Sequence, residues 1–239
     1  MKITPEYLLK NWESHIAFWL MEDPQFFHNN SNAIAENIKK ADPDHQIVVD
    51  TSQCPIYLLV MLTAHKTNNP QILERLTQHQ SYGVRMGVAK NSATPTYLLE
   101  RLSIDERSSV RQNVASNPKT PPEVLERLSS SDCIQMLQCV LTNPSTPAHV
   151  LESFSKYDKE DYKYKGFCKY YVAQNPSTPP HVLERLASDE GYAIRGAAAM
   201  NPSTPIEAVK KLLLDGISHV QERARAAIKK RLDNQPNLS

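Results

Sequence analysis

The residues with the most regular spacing in this sequence are cations. Arg75, Arg101, Arg127, Arg185 and Lys211 recur at one place in a repeating pattern, and Arg85, Arg111, Lys169 and Arg195 recur at another. If these positions lie on stacked helices, roughly 8–10 Å apart, each set forms a stripe. A stripe of one charge is a groove for a polyanion or an acidic protein surface. Arg85, Arg111 and Arg195 are therefore candidate anion-binding residues. The competing reading is internal pairing. Glu74, Glu100, Glu126 and Glu184 stand directly before four of the first set, and Asp105 and Asp189 stand six residues before Arg111 and Arg195. A stripe cancelled by its own carboxylates attracts little at physiological salt, so pairing is the favoured reading.

Both sets break in one region. Leu137 and Ser153 stand where cations are expected, and SKYDKEDYKYKGFCKYY, residues 155–171, holds five of the ten tyrosines and five lysines. Tyrosine with flanking cations suits a protein hot spot or stacking on bases. Tyr157, Tyr162, Lys163, Tyr164, Lys165 and Lys169 are the candidate partner-binding residues. The alternative is that Tyr170 and Tyr171 pack in the core while the remainder is a solvated loop.

Catalysis finds no foothold. No GxSxG, HExxH, Walker or GxGxxG pattern occurs, and six glycines, the first at Gly83, leave no loop to cradle a phosphate. His149 and His181 share a helical position with Tyr97 and Glu123, which marks it as surface rather than a ligand site. Cys54, Cys133, Cys139 and Cys168 include no CxxC pair and are too scattered for a secreted disulfide framework. The expectation is a non-enzyme with no catalytic residues, no metal, no cofactor and no evident small-molecule substrate.

The composition, 40% hydrophobic and 22% charged, is that of a soluble globular chain. Net charge is only +1, but residues 1–62 carry 4 basic and 8 acidic side chains, net −4, leaving +5 for the rest. The apolar run near the N-terminus is short and closed by Glu22 and Asp23, so neither a signal peptide nor a membrane span is expected. A cytoplasmic location follows as the expectation.

The elements that must position these side chains are written in a five-residue phrase. NPSTP occurs at Asn143, Asn175 and Asn201, and shades into NPKTP at Asn117 and NSATP at Asn91. Aligning Pro95, Pro121, Pro147, Pro179 and Pro205 gives spacings of 26, 26, 32 and 26 residues, the signature of a solenoid. Apolar residues follow each Pro at +3, +4 and +7, as in Leu98, Leu99 and Leu102, which is one stripe of a helix. Thr before Pro reads as an N-cap with Pro at the first helical position, and Glu123 and Glu207 complete capping boxes. A second, shorter element precedes each Asn, as in Val110 and Val114, and Asn-Pro stops it. One such unit buries too little to fold alone, so neighbours must stack.

Degenerate copies, TPEYLLKNW from Thr4 and CPIYLLVML from Cys54, extend the array toward the N-terminus. Trp12, Phe18, Trp19, Phe26 and Phe27 are expected to form a cap there, and Ser218–Leu232 a closing amphipathic helix. The organisation expected is residues 1–62 as degenerate repeats and cap, 63–216 as regular repeats with an insertion near 155–165, and 217–239 as closing helix and tail, in one continuous solenoid.

The stretch VRQNVASNPKTPPEVLERL, Val110 to Leu128, with QNPSTPPHVLERLASDEGYAIRGAAAMNPSTP later, resembles the leucine-rich repeat variant family over residues 84–212. The resemblance implies an all-α, right-handed superhelix of two-helix repeats, α-helix alternating with a short 3₁₀ or α-helix. Some relatives carry an N-terminal cysteine cluster for an iron–sulfur centre; Cys54 is alone in the first 132 residues, so that cofactor is not expected. The function expected is a scaffold presenting an extended helical surface to a protein partner; the alternative is nucleic-acid or other polyanion binding through the Arg/Lys ladders.

Overall fold

The computed structural model describes residues 67–156 and 162–233, with only the backbone of 162–165. The expected cap and degenerate repeats of residues 1–62, Cys54 and the tail from 234 lie outside the described residues. Every regular element among the described residues is helical.

The chain divides into two compact units, residues 1–119 and 120–239. In the first unit, α1 (Pro70–Leu76), α2 (Tyr82–Lys90), α3 (Thr96–Leu102) and α4 (Ser108–Ser116) form two repeats, with α2 lying against α4. The second unit continues with α5 (Pro122–Leu128), α6 (Ile134–Thr142), α7 (Ala148–Ser155) and α8 (Tyr162–Gln174). It ends with α9 (Pro180–Leu186), α10 (Tyr192–Met200), α11 (Ile206–Lys211), a 3₁₀ turn at Leu212–Leu214, and α12 (Ser218–Asp233). Helices α6, α8, α10 and α12 pack side by side in chain order, and each helix that follows Thr-Pro packs on its successor. This is a solenoid of two-helix repeats.

The apolar pattern explains the packing directly. Leu98, Leu99, Leu125, Leu151, Val182, Leu183 and Val209, from the +3 and +4 positions, are fully buried. So are Val84, Val88, Val110, Val114, Val140, Cys168, Val172 and Ala198 of the second helices. In the second unit these residues merge into one core running from Leu137 to Ala227.

Two local expectations are corrected. The second helix of the regular repeats is the longer one, nine residues in α2, α4, α6 and α10 against seven in α3, α5 and α9. The threonines do not cap. Pro95, Pro121, Pro147, Pro179 and Pro205 occupy the N-cap position, with no side-chain cap bond at any of them. The threonine hydroxyls instead turn inward and donate to the carbonyl six residues back. Thr94 Oγ1 reaches Val88 O at 2.6 Å, Thr146 reaches Val140 O at 2.5 Å, Thr178 reaches Val172 O at 2.6 Å and Thr204 reaches Ala198 O at 2.5 Å. Each hydroxyl adds a second donor to a carbonyl of the last helical turn, which also accepts the amide of the asparagine three residues on. The polar N-cap with Pro at the first helical position occurs at Asn69–Pro70, where Asn69 Oδ1 accepts from the Gln71 and Ile72 amides.

The asparagines bind the repeats together. Each side-chain oxygen accepts the amide two residues on, closing an Asx turn: Ala93 on Asn91, Lys119 on Asn117, Ser145 on Asn143, Ser177 on Asn175 and Ser203 on Asn201. The amide nitrogen reaches backward. In the first unit, Asn117 Nδ2 donates to Ala89 O at 2.8 Å and Asn91 O at 3.0 Å. In the second, Asn175 Nδ2 donates to Leu141 O and Asn143 O, and Asn201 Nδ2 to Ala173 O and Asn175 O, all at 2.7–2.8 Å. The ladder ends where Arg231 Nη2 takes the place of an amide and donates to Asn201 O at 3.0 Å.

Candidate binding surface

Arginine directly after the first buried apolar side chain of the second helix is a clasp. Arg85 Nη1 donates to His79 O and Gln80 O, while Nε and Nη2 grip Asp105 at 2.6 and 3.1 Å. Arg195 repeats this with Asp189 O, Glu190 O and the Asp215 carboxylate, again at 2.6 Å for Nε. Lys169 Nζ meets Asp189 Oδ2 at 3.0 Å, both side chains 14% exposed. In each case the carboxylate stands 20 residues after the cation, in the next repeat. Arg111 Nη1 is held by Asp105 O at 2.5 Å and Glu106 O at 3.1 Å. The aspartates six residues before Arg111 and Arg195 thus serve them through backbone carbonyls, and give their carboxylates to the preceding repeat's Arg85 and Lys169.

The electrostatics follow the geometry. The guanidinium of Arg195 holds the Asp215 carboxyl below its ordinary range, and the carboxylate in turn raises Arg195. Arg85 is raised by Asp105 in the same way. These bidentate pairs are largely removed from water, with side-chain exposure of 17% and 7% for Arg195 and Asp215.

The other cation set behaves differently. Residues i and i+1 on a helix do not face each other. Among the described residues, no ion pair joins Arg101 to Glu100 or Arg185 to Glu184. Arg185 Nη2 instead donates to the buried Ser155 hydroxyl of α7. Glutamates on this row pair with histidines of the next repeat: His149 Nε2 lies 3.0 Å from Glu126, and His181 Nε2 lies 3.7 Å from Glu152, all on the exposed side.

Of the partner-binding candidates, Tyr157 lies outside the described residues, as do the side chains of Tyr162, Lys163, Tyr164 and Lys165. Their backbone forms the first turn of α8, which at thirteen residues is four longer than the second helices of the regular repeats. The 32-residue spacing is thus absorbed partly as an added helical turn. Directly after that turn, Phe167 and Tyr171 pack edge to face at 4.6 Å, and Tyr170 and Tyr171 at 5.5 Å. All three are half-buried against the core of the second unit. No group of three His, Cys, Asp or Glu side chains among the described residues is placed to hold a metal ion. Cys168 is fully buried, and burial pushes its thiol up to about 11.

The asparagine ladder is the part that sequence reasoning missed, whereas the closing helix expected at Ser218–Leu232 is present as α12. The signal for it was the recurrence of Asn91, Asn117, Asn143, Asn175 and Asn201 themselves, beyond what a turn requires.

Residues 109–132 match the family model described as Leucine rich repeat variant. Among solved structures, the chain is similar to "a leucine-rich repeat variant with a novel repetitive protein structural motif", at TM-score 0.53 and 19% identity, covering 93% of this chain and 84% of that one. An engineered protein aligns at TM-score 0.37 and 15% identity, over 94% of this chain and 80% of its own. No curated protein matches the sequence.

Proposed function

We propose that this stack of helical repeats, which shares the fold of a solved leucine-rich repeat variant and matches that family's model over residues 109–132, works by non-enzymatic binding, presenting its helical surface to a protein partner. The specificity element in this reading is the insertion at 155–165 with the start of α8, and Tyr157, Tyr162, Lys163, Tyr164 and Lys165 are its contact residues; Lys169, expected among them, is instead engaged by Asp189 within the stack. The observation that carries it is the local break in an otherwise repeated design. Leu137 replaces the clasp cation, α8 gains a turn, and tyrosines and lysines concentrate at that one place. Insertions in solenoids gather on one face, often the binding face, and tyrosine is a preferred anchor of protein interfaces.

The polyanion reading through Arg85, Arg111 and Arg195 has weaker support, since internal acceptors occupy their guanidinium groups. A cytoplasmic location belongs to the same proposal; no helix among the described residues is long and apolar enough to cross a membrane. The test is deletion of residues 156–165 followed by affinity capture from the source cell. Loss of a captured partner with helical circular dichroism unchanged is the expected result, and undiminished capture of the same partner overturns the assignment.

A further inference from the structure

With Arg85, Lys169 and Arg195 engaged by carboxylates, the closing helix carries a run of closely spaced cations on one element. Arg223, Arg225, Lys229 and Lys230 of α12, and Lys211 of α11, have no described carboxylate within 4 Å. Helix α12 buries Val220, Ala224 and Ala227 against the repeat before it. Its opposite side is exposed and carries Arg225, Lys229 and Lys230, with Glu222 and Asp233 toward the two ends. The Arg223 stem folds down onto α10, where its Cδ would lie 3.1 Å from a Cβ at Gly196, so a residue without a side chain admits it. Arg225 and Lys229 are one helical turn apart, about 5.4 Å along the axis, and sixteen residues span about 24 Å. A nucleic-acid strand presents a phosphate about every 3.4 Å of axis, so several fall within reach of this face.

We infer that the exposed face of α12 binds the phosphate backbone of a nucleic acid, independently of base sequence. An anionic membrane is a poorer fit, because interfacial helices set apolar side chains beside their cations. The apolar stripe of α12 is buried in the stack, and Leu232 is the one large apolar side chain on its outer face. Phosphate contacts need only repeated charge on long side chains, which is what this face offers.

The experiment is fluorescence anisotropy of a labelled 20-base-pair duplex titrated with the full chain. Three to four neutralised phosphates give a slope of about −3 in log affinity against log salt, about 60-fold weaker binding between 50 and 200 mM. R225E/K229E/K230E should weaken binding at least about tenfold at fixed salt. K90E/R101E/K119E, an equal charge change on exposed residues of the first unit, should change it less than about threefold. R225Q/K229Q/K230Q serves if circular dichroism shows the reversal variant unfolded. Four results overturn the inference: no binding by the unaltered chain at 50 mM salt, a slope near zero, equal losses in both triple variants, or tighter binding of poly-glutamate or phosphatidylserine vesicles than of the duplex.

Discussion

The asparagine ladder makes a demanding prediction at Asn175, which is 1% exposed. Its side chain makes three bonds, two to carbonyls of the preceding repeat and one from the Ser177 amide. Replacing it with alanine removes all three. Asn143 O keeps the Thr146 amide as a donor, and the exposed Ser177 can turn to water. Leu141 O, at the end of α6, loses the amide that satisfied it. Two ordinary bonds at about 0.5–1.5 kcal/mol and one buried orphan at about 1–3 kcal/mol put the loss at about 3 kcal/mol. For a chain of this size that is a fall of about 6–12 °C in Tm. Aspartate has the same shape, yet at neutral pH it sets a carboxylate against two carbonyl oxygens, so Asn175→Asp should be the less stable variant. Such an acid has its folded pKa raised, so its deficit should be smallest below about pH 4 and grow as pH rises. Urea melts of both variants, with the exposed neighbour Gln174→Ala as a control expected within about 0.5 kcal/mol of the unaltered chain, provide the measurement. A loss under about 1 kcal/mol for Asn175→Ala, or an Asp variant more stable than the Ala variant at pH 7, refutes the reasoning.

Thr178→Val keeps the side-chain shape but removes one of the two donors to Val172 O, leaving the Asn175 amide, and should cost about 0.5–1.5 kcal/mol in the same melts. The Arg195–Asp215 clasp sets the sign of an acid effect. Its carboxyl is depressed in the folded chain, so its contribution is complete above the ordinary carboxylate range and disappears as pH falls through the folded value. Asp215→Asn should therefore lower stability at pH 7 and flatten the stability profile below about pH 4; an unchanged profile argues against the clasp. Cys168, buried and with its thiol pushed up to about 11, should be alkylated by iodoacetamide at pH 8 far more slowly than Cys133 or Cys139, as followed by mass spectrometry.

Much of the architecture could be read without coordinates, because the terms that set it are local and repeated. Leu98, Leu99 and Leu102 announce a helix by spacing alone, and the recurrence of the pattern every 26 residues requires neighbours to cover it. What stayed hidden depends on partners distant in sequence. Thr-Pro is a sound local capping signal, but Val88, Val140, Val172 and Ala198 leave carbonyls at a helix end inside the core, and a buried acceptor competes for the hydroxyl more strongly than a solvated helix start. Asp189 six residues before Arg195 suggested a pair by proximity. The arginine takes the backbone oxygen of that residue, and the carboxylate serves Lys169 of the repeat before.

The same inversion governs the charged surface. Regular spacing gave Arg85 and Arg195 the appearance of a groove, yet regularity is what lets each repeat place a carboxylate against its predecessor's cation. Charge held in the clasp is thus used inside the stack, and exposed charge such as that of Arg101 or Arg225 lies outside it. The clasp itself lapses at two places: Leu137 of α6, which stands at the cation's position, and α12, where Gln221 occupies the arginine position and donates to Asp215 O. In the reading proposed above, a partner finds its specificity in those irregular repeats, while the regular ones hold the spacing between helices fixed.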